Sequence, residues 1–138
     1  MRTARFLFPT STTISSDERR IAKSVNFGVI YGITGFGLSR MIKTSPKEAT
    51  EYITKFFDRY PLVRTYYDGI LEEGRTKGYV ETYYGRRRWV KGLNDANSII
   101  RSAAEREAMN MPIQGTAADI MKLAMIEIDR LIEIGKLP

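Results

Sequence analysis

Arg19, Lys23, Phe27 and Tyr31 stand four residues apart, so any helix that carries them presents two cations and then two aromatic rings along one side. Cations bind phosphates and rings stack on a sugar or a base, which suits a ligand anionic at one end and flat at the other. A nucleoside triphosphate has that form. The stripe spans about 18 Å of helix, enough to run from a terminal phosphate to a base and beyond. No Asp or Glu occurs from Arg19 to Lys47, so no acid nearby in sequence neutralises these cations. The spacing equally allows a basic exposed end followed by two buried aromatics.

Other residues carry weaker signals. Arg106, Asn110 and Gln114 form a second series at four-residue spacing, readable as hydrogen-bond donors toward a ligand or as an ordinary polar helix face. Arg86, Arg87 and Arg88 read as a phosphate-contacting patch or as salt-bridge partners of acidic neighbours. Gly28 and Gly32 lie one turn apart, and a glycine inside a helix costs about 1 kcal/mol relative to alanine. Either a ligand passes close to the bare helix surface there, or another element packs tightly on it. Asp119, Glu127 and Asp129 sit on one amphipathic stretch without a partner constellation, which favours solvated or capping roles over metal ligation.

The elements that must position these residues are mostly helical. Met1 to Pro9 reads as the tail of a helix entering a turn. Ser15-Ser-Asp-Glu18 is a capping box that starts a helix near Ser16, with Ile21, Val25 and Val29 as its core face. It should fray near Gly32, where Gly-Ile-Thr-Gly-Phe-Gly37 makes a flexible break. Ser45-Pro-Lys-Glu48 is a second capping box, leading into a helix that Pro61 ends. A further helix from about Leu62 to Thr76 completes a helical hairpin, and Gly78 closes it. Tyr79 to Lys91 is rich in β-formers and predicts a two-stranded hairpin turning near Gly85. A helix from Asn94 or Asn97 to Met109 is expected to break at Pro112, and a last one to run from about Thr116 to Ile134.

With 138 residues and 43% apolar content, the chain has the length of one domain and enough apolar surface for a core. Zero cysteine excludes disulfides and thiolate chemistry, and zero histidine excludes Ser-His-Asp triads and most zinc sites. Charged residues interrupt every apolar run, so no membrane span is expected. A net charge of +6 favours polyanionic partners, nucleic acid first.

The run Arg19-Arg-Ile-Ala-Lys23-Ser-Val-Asn-Phe27-Gly-Val-Ile-Tyr31-Gly32 resembles the motif B helix of family A DNA polymerases, the DNA polymerase I family. The resemblance continues through Gly78-Tyr-Val-Glu-Thr-Tyr-Tyr-Gly-Arg-Arg-Arg88. It extends to Ala103-Ala-Glu-Arg106-Glu-Ala-Met-Asn110-Met-Pro-Ile-Gln114-Gly-Thr-Ala-Ala-Asp119. It implies a mainly α fold with one short β-hairpin, the fingers and partial palm of a right-hand DNA polymerase. On that resemblance Arg19 and Lys23 hold the triphosphate of an incoming deoxynucleotide, and Lys23 is the catalytic proton donor to departing pyrophosphate. Phe27 packs against the nucleotide's sugar and base. Tyr31 occupies the template stacking position until the fingers close. Tyr31, Gly32, Arg88, Arg106, Asn110 and Gln114 are the implied DNA-binding residues. Phe rather than Tyr at Phe27 is the version associated with poor acceptance of dideoxynucleotides.

The same resemblance implies magnesium as cofactor, and its partners are primer-template DNA, deoxynucleoside triphosphates and the remaining palm and thumb. The family's metal-binding carboxylates lie in an Asp-Tyr-Ser-like motif and a His-Asp-Glu motif, and this chain has neither. It is therefore expected to be an internal piece of a polymerase domain, with fingers at about 15–93, palm-joining helices at about 94–138, no metal ligands and no activity alone. If the source is bacterial, a cytoplasmic, nucleoid-associated location is expected. A non-catalytic nucleic-acid-binding module is the alternative. A helical scaffold is weaker, because it gives no reason for the cation-aromatic stripe.

Overall fold

A computed structural model describes residues 2–137. The chain order is α1 (Arg2–Leu7), α2 (Ser16–Ile30), α3 (Gly35–Ile42), α4 (Pro46–Arg59), α5 (Pro61–Lys77), β1 (Tyr79–Glu81), β2 (Arg87–Trp89) and α6 (Ser98–Glu133). Mainly helical with one antiparallel hairpin is the class the sequence leads one to expect. Two compact units divide the chain, Met1–Leu71 and Glu72–Pro138. Among the described residues no helix is long and apolar enough to cross a membrane.

The first unit is built around α2. Ser15 caps it: its hydroxyl accepts the Glu18 N–H at 3.2 Å, and the Glu18 carboxylate accepts the Ser15 N–H at 2.7 Å. Those two bonds satisfy donors that the first helical turn leaves free. Val25 and Val29 are fully buried with Ala22, while Ile21 is half-buried at the margin. Leu38 and Ile42 of α3, Ala49, Tyr52 and Phe56 of α4, and Ala4 and Leu7 of α1 complete the core.

Two expectations fail in this unit. The first helix does end near Gly32 as expected, at Ile30, but the break does not extend to Gly37, because Gly35 already opens α3. Thr34 caps that helix by accepting the Gly37 N–H at 3.1 Å, and Leu38 and Ile42 bury one turn apart. Burial of that apolar pair outweighs the glycine entropy cost. The helical hairpin of α4 and α5 is not formed either. Among the described residues α4 packs on α3, α2 and α1, because Ala49, Tyr52 and Phe56 face the core those helices share. The second capping box is half present. Ser45 accepts the Glu48 N–H at 3.2 Å, but the Glu48 carboxylate accepts the hydroxyls of Thr44 and Tyr52 instead of the Ser45 backbone. Burial and that carboxylate push the Tyr52 hydroxyl up to about 12.

In the second unit β1 and β2 pair with Tyr79 opposite Trp89, Val80 opposite Arg88 and Glu81 opposite Arg87. Gly85 turns the hairpin with φ of 78°, a conformation that glycine adopts without steric cost. Behind the hairpin Val80, Val90 and Leu93 bury with Ala104, Ala108 and Met111 of α6.

Pro112 does not interrupt α6, which runs unbroken for 36 residues. Proline removes one backbone donor and crowds the preceding turn, at a cost of about 3 kcal/mol in a free helix. Here the turn that follows it is tied to the hairpin. The Thr116 hydroxyl donates to the Pro112 carbonyl at 2.5 Å and accepts the Tyr83 N–H at 2.9 Å. Arg86 donates to the Gly115 carbonyl at 3.1 Å. Gly115 permits this approach, since a Cβ there would stand 2.7 Å from the Thr82 methyl.

Candidate functional site

Arg19, Lys23, Phe27 and Tyr31 are all exposed, with Phe27 at 52% and Tyr31 at 44%. That decides against two buried aromatics. The Lys23 ammonium stands 5.8 Å from the centroid of the Phe27 ring, within the range of cation–π attraction. A cleft of about 360 Å³ runs along this face, lined by Arg19, Lys23, Phe27, Asn26 and Ile30 of α2 and by Thr3 of α1. Its size lies in the range of small-molecule sites. Thr3 donates to the Asn26 side-chain oxygen at 3.0 Å, tying α1 to α2 across the cleft. Tyr31 is not among the cleft's lining residues; it caps the C-terminus of α2 just beyond.

The turn after Tyr31 explains both glycines without a ligand. Gly32 has φ of 66°, and its N–H donates to the Val29 carbonyl at 3.0 Å. The Ile33 N–H donates to the Gly28 carbonyl at 2.8 Å. This pair of bonds closes a helix with a left-handed residue, where glycine avoids a penalty of about 1–2 kcal/mol. Ile33 then folds back on Gly28, where a Cβ would stand 2.7 Å from its methyl. Tight packing is thus the reading that holds for Gly28. The buried Tyr67 hydroxyl donates to the Ile30 carbonyl at 3.2 Å, satisfying another helix-end acceptor beside Tyr31.

Arg106, Asn110 and Gln114 share one continuous helix, because α6 passes through Pro112 unbroken. Arg106 and Gln114 are exposed and Asn110 is half-buried. Their side chains thus form one polar row, which a break at Pro112 would have split.

The three consecutive arginines are all ion-paired. Arg86 donates to Asp119 at 2.7 Å, Arg87 to Glu81 at 2.8 Å and Arg88 to Glu107 at 2.6 Å. The salt-bridge reading is the one the structure displays. Arg88 nonetheless keeps 58% of its side chain exposed. Asp119 corrects the sequence expectation outright: it is buried rather than solvated, and it clamps the hairpin to α6 through Arg86. The Thr82 hydroxyl, close by though outside hydrogen-bond geometry, and then the Arg86 guanidinium hold the Asp119 carboxyl below its usual range.

The carboxylates present do not fit a two-metal centre. Among the described residues no three of them converge, and Asp119 is committed to Arg86. Sequence reasoning missed the contribution of Thr3 and Asn26 to the cleft, and periodicity within α2 alone could not have supplied it. The α3 helix did leave a signal, Thr34 followed by Leu38 and Ile42 at helical spacing.

The model of DNA polymerase family A matches residues 1–137. DNA polymerase I of Streptococcus pneumoniae serotype 4 is 50% identical over 122 residues, 88% of this chain and 14% of that protein. The thermostable DNA polymerase I of Thermus thermophilus is 48% identical over 136 residues, 97% of this chain and 16% of its own length. The solved POL domain of Pol1 from M. smegmatis, in complex with DNA primer-template and dNTP, matches with a TM-score of 0.85 at 38% identity. That match covers 98% of this chain and 24% of the other. The chain therefore spans 14–16% of the length of these curated relatives. With motif B on α2, the hairpin and α6 in the order the resemblance requires, the chain belongs to DNA polymerase family A.

Proposed function

We propose that this segment holds the incoming deoxynucleotide and the primer-template for a DNA-directed DNA polymerase that extends a primer by template-directed nucleotidyl transfer. The observation that supports it is the exposed order cation, cation, aromatic, aromatic along the α2 cleft. Arg19 and Lys23 bind the triphosphate as charge-assisted donors. Lys23 also gives its proton to the departing pyrophosphate, a role suited to an ammonium on a flexible stem. Phe27 packs on the sugar and base, and Tyr31, released by the turn at Gly32, stacks at the template position.

Along α6, Arg106, Asn110 and Gln114 donate to the minor-groove acceptors that every base pair presents, which tests pair geometry without choosing a sequence. Arg88 contacts the phosphate backbone after leaving Glu107. Magnesium is implied for the parent enzyme, and its ligands belong to parts other than the described residues. The segment alone is accordingly expected to be inactive. The proposed division into fingers at about 15–93 and palm-joining helices at about 94–138 is functional and need not follow the compact units.

Lys23→Ala in the full-length polymerase tests this reading. Losing a charge-assisted contact made with the transition state is worth about 2–3 kcal/mol, so kcat/KM for nucleotide incorporation should fall by about 30- to 150-fold. Single-turnover primer extension reads it. Unchanged incorporation, with DNA binding retained, would instead favour a non-catalytic nucleic-acid-binding module.

A further inference from the structure

Beyond the N-terminal end of the nucleotide cleft lies a second cleft of about 470 Å³, lined by Arg5, Ser11, Thr12, Thr13 and Arg19 with Phe8 at its wall. Arg19 lines both clefts. Neither Arg5 nor Arg19 has a carboxylate partner among the described residues, whereas the acids at the start of α2 are already engaged. Asp17 pairs with Arg20 at 3.3 Å. Glu18 accepts from the Ser11 hydroxyl and the Ser15 N–H, and those bonds hold its carboxyl below the usual range. Among the described residues the Thr12 and Thr13 hydroxyls have no hydrogen-bond partner. Two guanidiniums and two hydroxyls without partners among the described residues, beside the positive end of a 15-residue helix, form a donor-rich, acid-poor pocket.

We propose that this second cleft is an anion subsite for inorganic pyrophosphate, adjoining the nucleotide cleft through Arg19 and used as the product leaves. This rests on the reading of α2 as the nucleotide helix. With rings at the Tyr31 end and cations at the Arg19 end, the terminal phosphates of a bound triphosphate lie nearest Arg19. Pyrophosphate released from that end meets Arg5, Thr12 and Thr13 next. Because the nucleotide leaves its α-phosphate on the primer, a subsite beyond Arg19 acts on product and not on the base. Arg5 therefore affects pyrophosphate more than nucleotide.

The test compares the full-length polymerase with its Arg5→Ala, Arg5→Lys and Arg19→Ala variants, using inorganic pyrophosphate as probe. The readouts are the inhibition constant of pyrophosphate in primer extension and the KM for dNTP. Arg5→Ala should raise the inhibition constant about five- to tenfold, less than for an enclosed charge-assisted contact because Arg5 is exposed, with the dNTP KM within about twofold. Arg5→Lys should retain most of the inhibition. An unchanged inhibition constant in Arg5→Ala, alongside a raised dNTP KM in Arg19→Ala, overturns the subsite and leaves the nucleotide reading standing. Unchanged values in Arg19→Ala overturn both.

Discussion

At the scale of single residues, the exposed face of α2 is specific in what it offers. Phe27 presents a ring edge and face but no hydrogen-bonding group, and Lys23 stands 5.8 Å from its centroid. A site without a donor there gains nothing from a substrate lacking its 3′-hydroxyl. Phe27→Tyr adds a hydroxyl that can replace the missing contact. In the full-length enzyme it should narrow discrimination against dideoxynucleotides by about 5- to 150-fold, as one hydrogen bond of about 1–3 kcal/mol allows. Competitive incorporation of dideoxy- and deoxynucleotides measures it. A wild-type enzyme that already accepts both equally would contradict the role given to Phe27.

At the scale of elements, the hairpin and α6 act as one clamp. Arg86 joins them through Asp119 at 2.7 Å and the Gly115 carbonyl at 3.1 Å, directly beside Gln114. Asp119 titrates below its usual range, chiefly through Thr82 and then Arg86. A carboxylate with a depressed folded-state pKa stabilises the fold above its unfolded value, near 4, and loses that contribution as pH falls through the folded value. Asp119→Asn should therefore lower the thermal midpoint of the full-length protein at pH 7. The gap from wild type should shrink as pH drops below about 4. Thermal unfolding monitored at both pH values measures it, and a gap that persists unchanged in acid would mean that Asp119 acts by shape and not by charge.

At the scale of the whole molecule, the net charge of +6 suits a polyanionic partner, although several of the basic side chains behind it are ion-paired. Arg88 illustrates the competition, because its guanidinium is held by Glu107 at 2.6 Å while 58% of the side chain remains exposed. An exposed pair of this kind contributes about 0–1 kcal/mol, less than a phosphate contact at low salt. If Arg88 transfers to DNA, Arg88→Ala in the full-length enzyme should weaken primer-template binding. It should also flatten the dependence of log affinity on log salt by about 0.9. Equilibrium binding across a salt series reads the slope. An unaltered slope would mean that Arg88 stays with Glu107 in the complex.

Short-range features were legible in the residues themselves. The Ser15 cap, the buried Val25 and Val29, the opposite cation-aromatic stripe and the Gly85 turn all depend on neighbours within a few positions, where helical periodicity, capping and turn chemistry operate. The family resemblance was legible for the same reason, since its motifs are contiguous. What lay beyond that reach needed the path of the chain. Pro112 reads locally as a helix breaker, yet α6 continues through it, packed on the hairpin and bonded to it from Tyr83 and Arg86 to Gly115, Thr116 and Asp119. Gly28 became a packing position only once Ile33 folded back upon it. The two clefts exist because α1 and the loop at Ser11–Thr13 lie against α2, bringing Thr3, Asn26 and Arg5 to residues far from them in sequence. Such juxtapositions arise from burial of a shared core, which is non-directional and leaves no periodic trace in the order of residues.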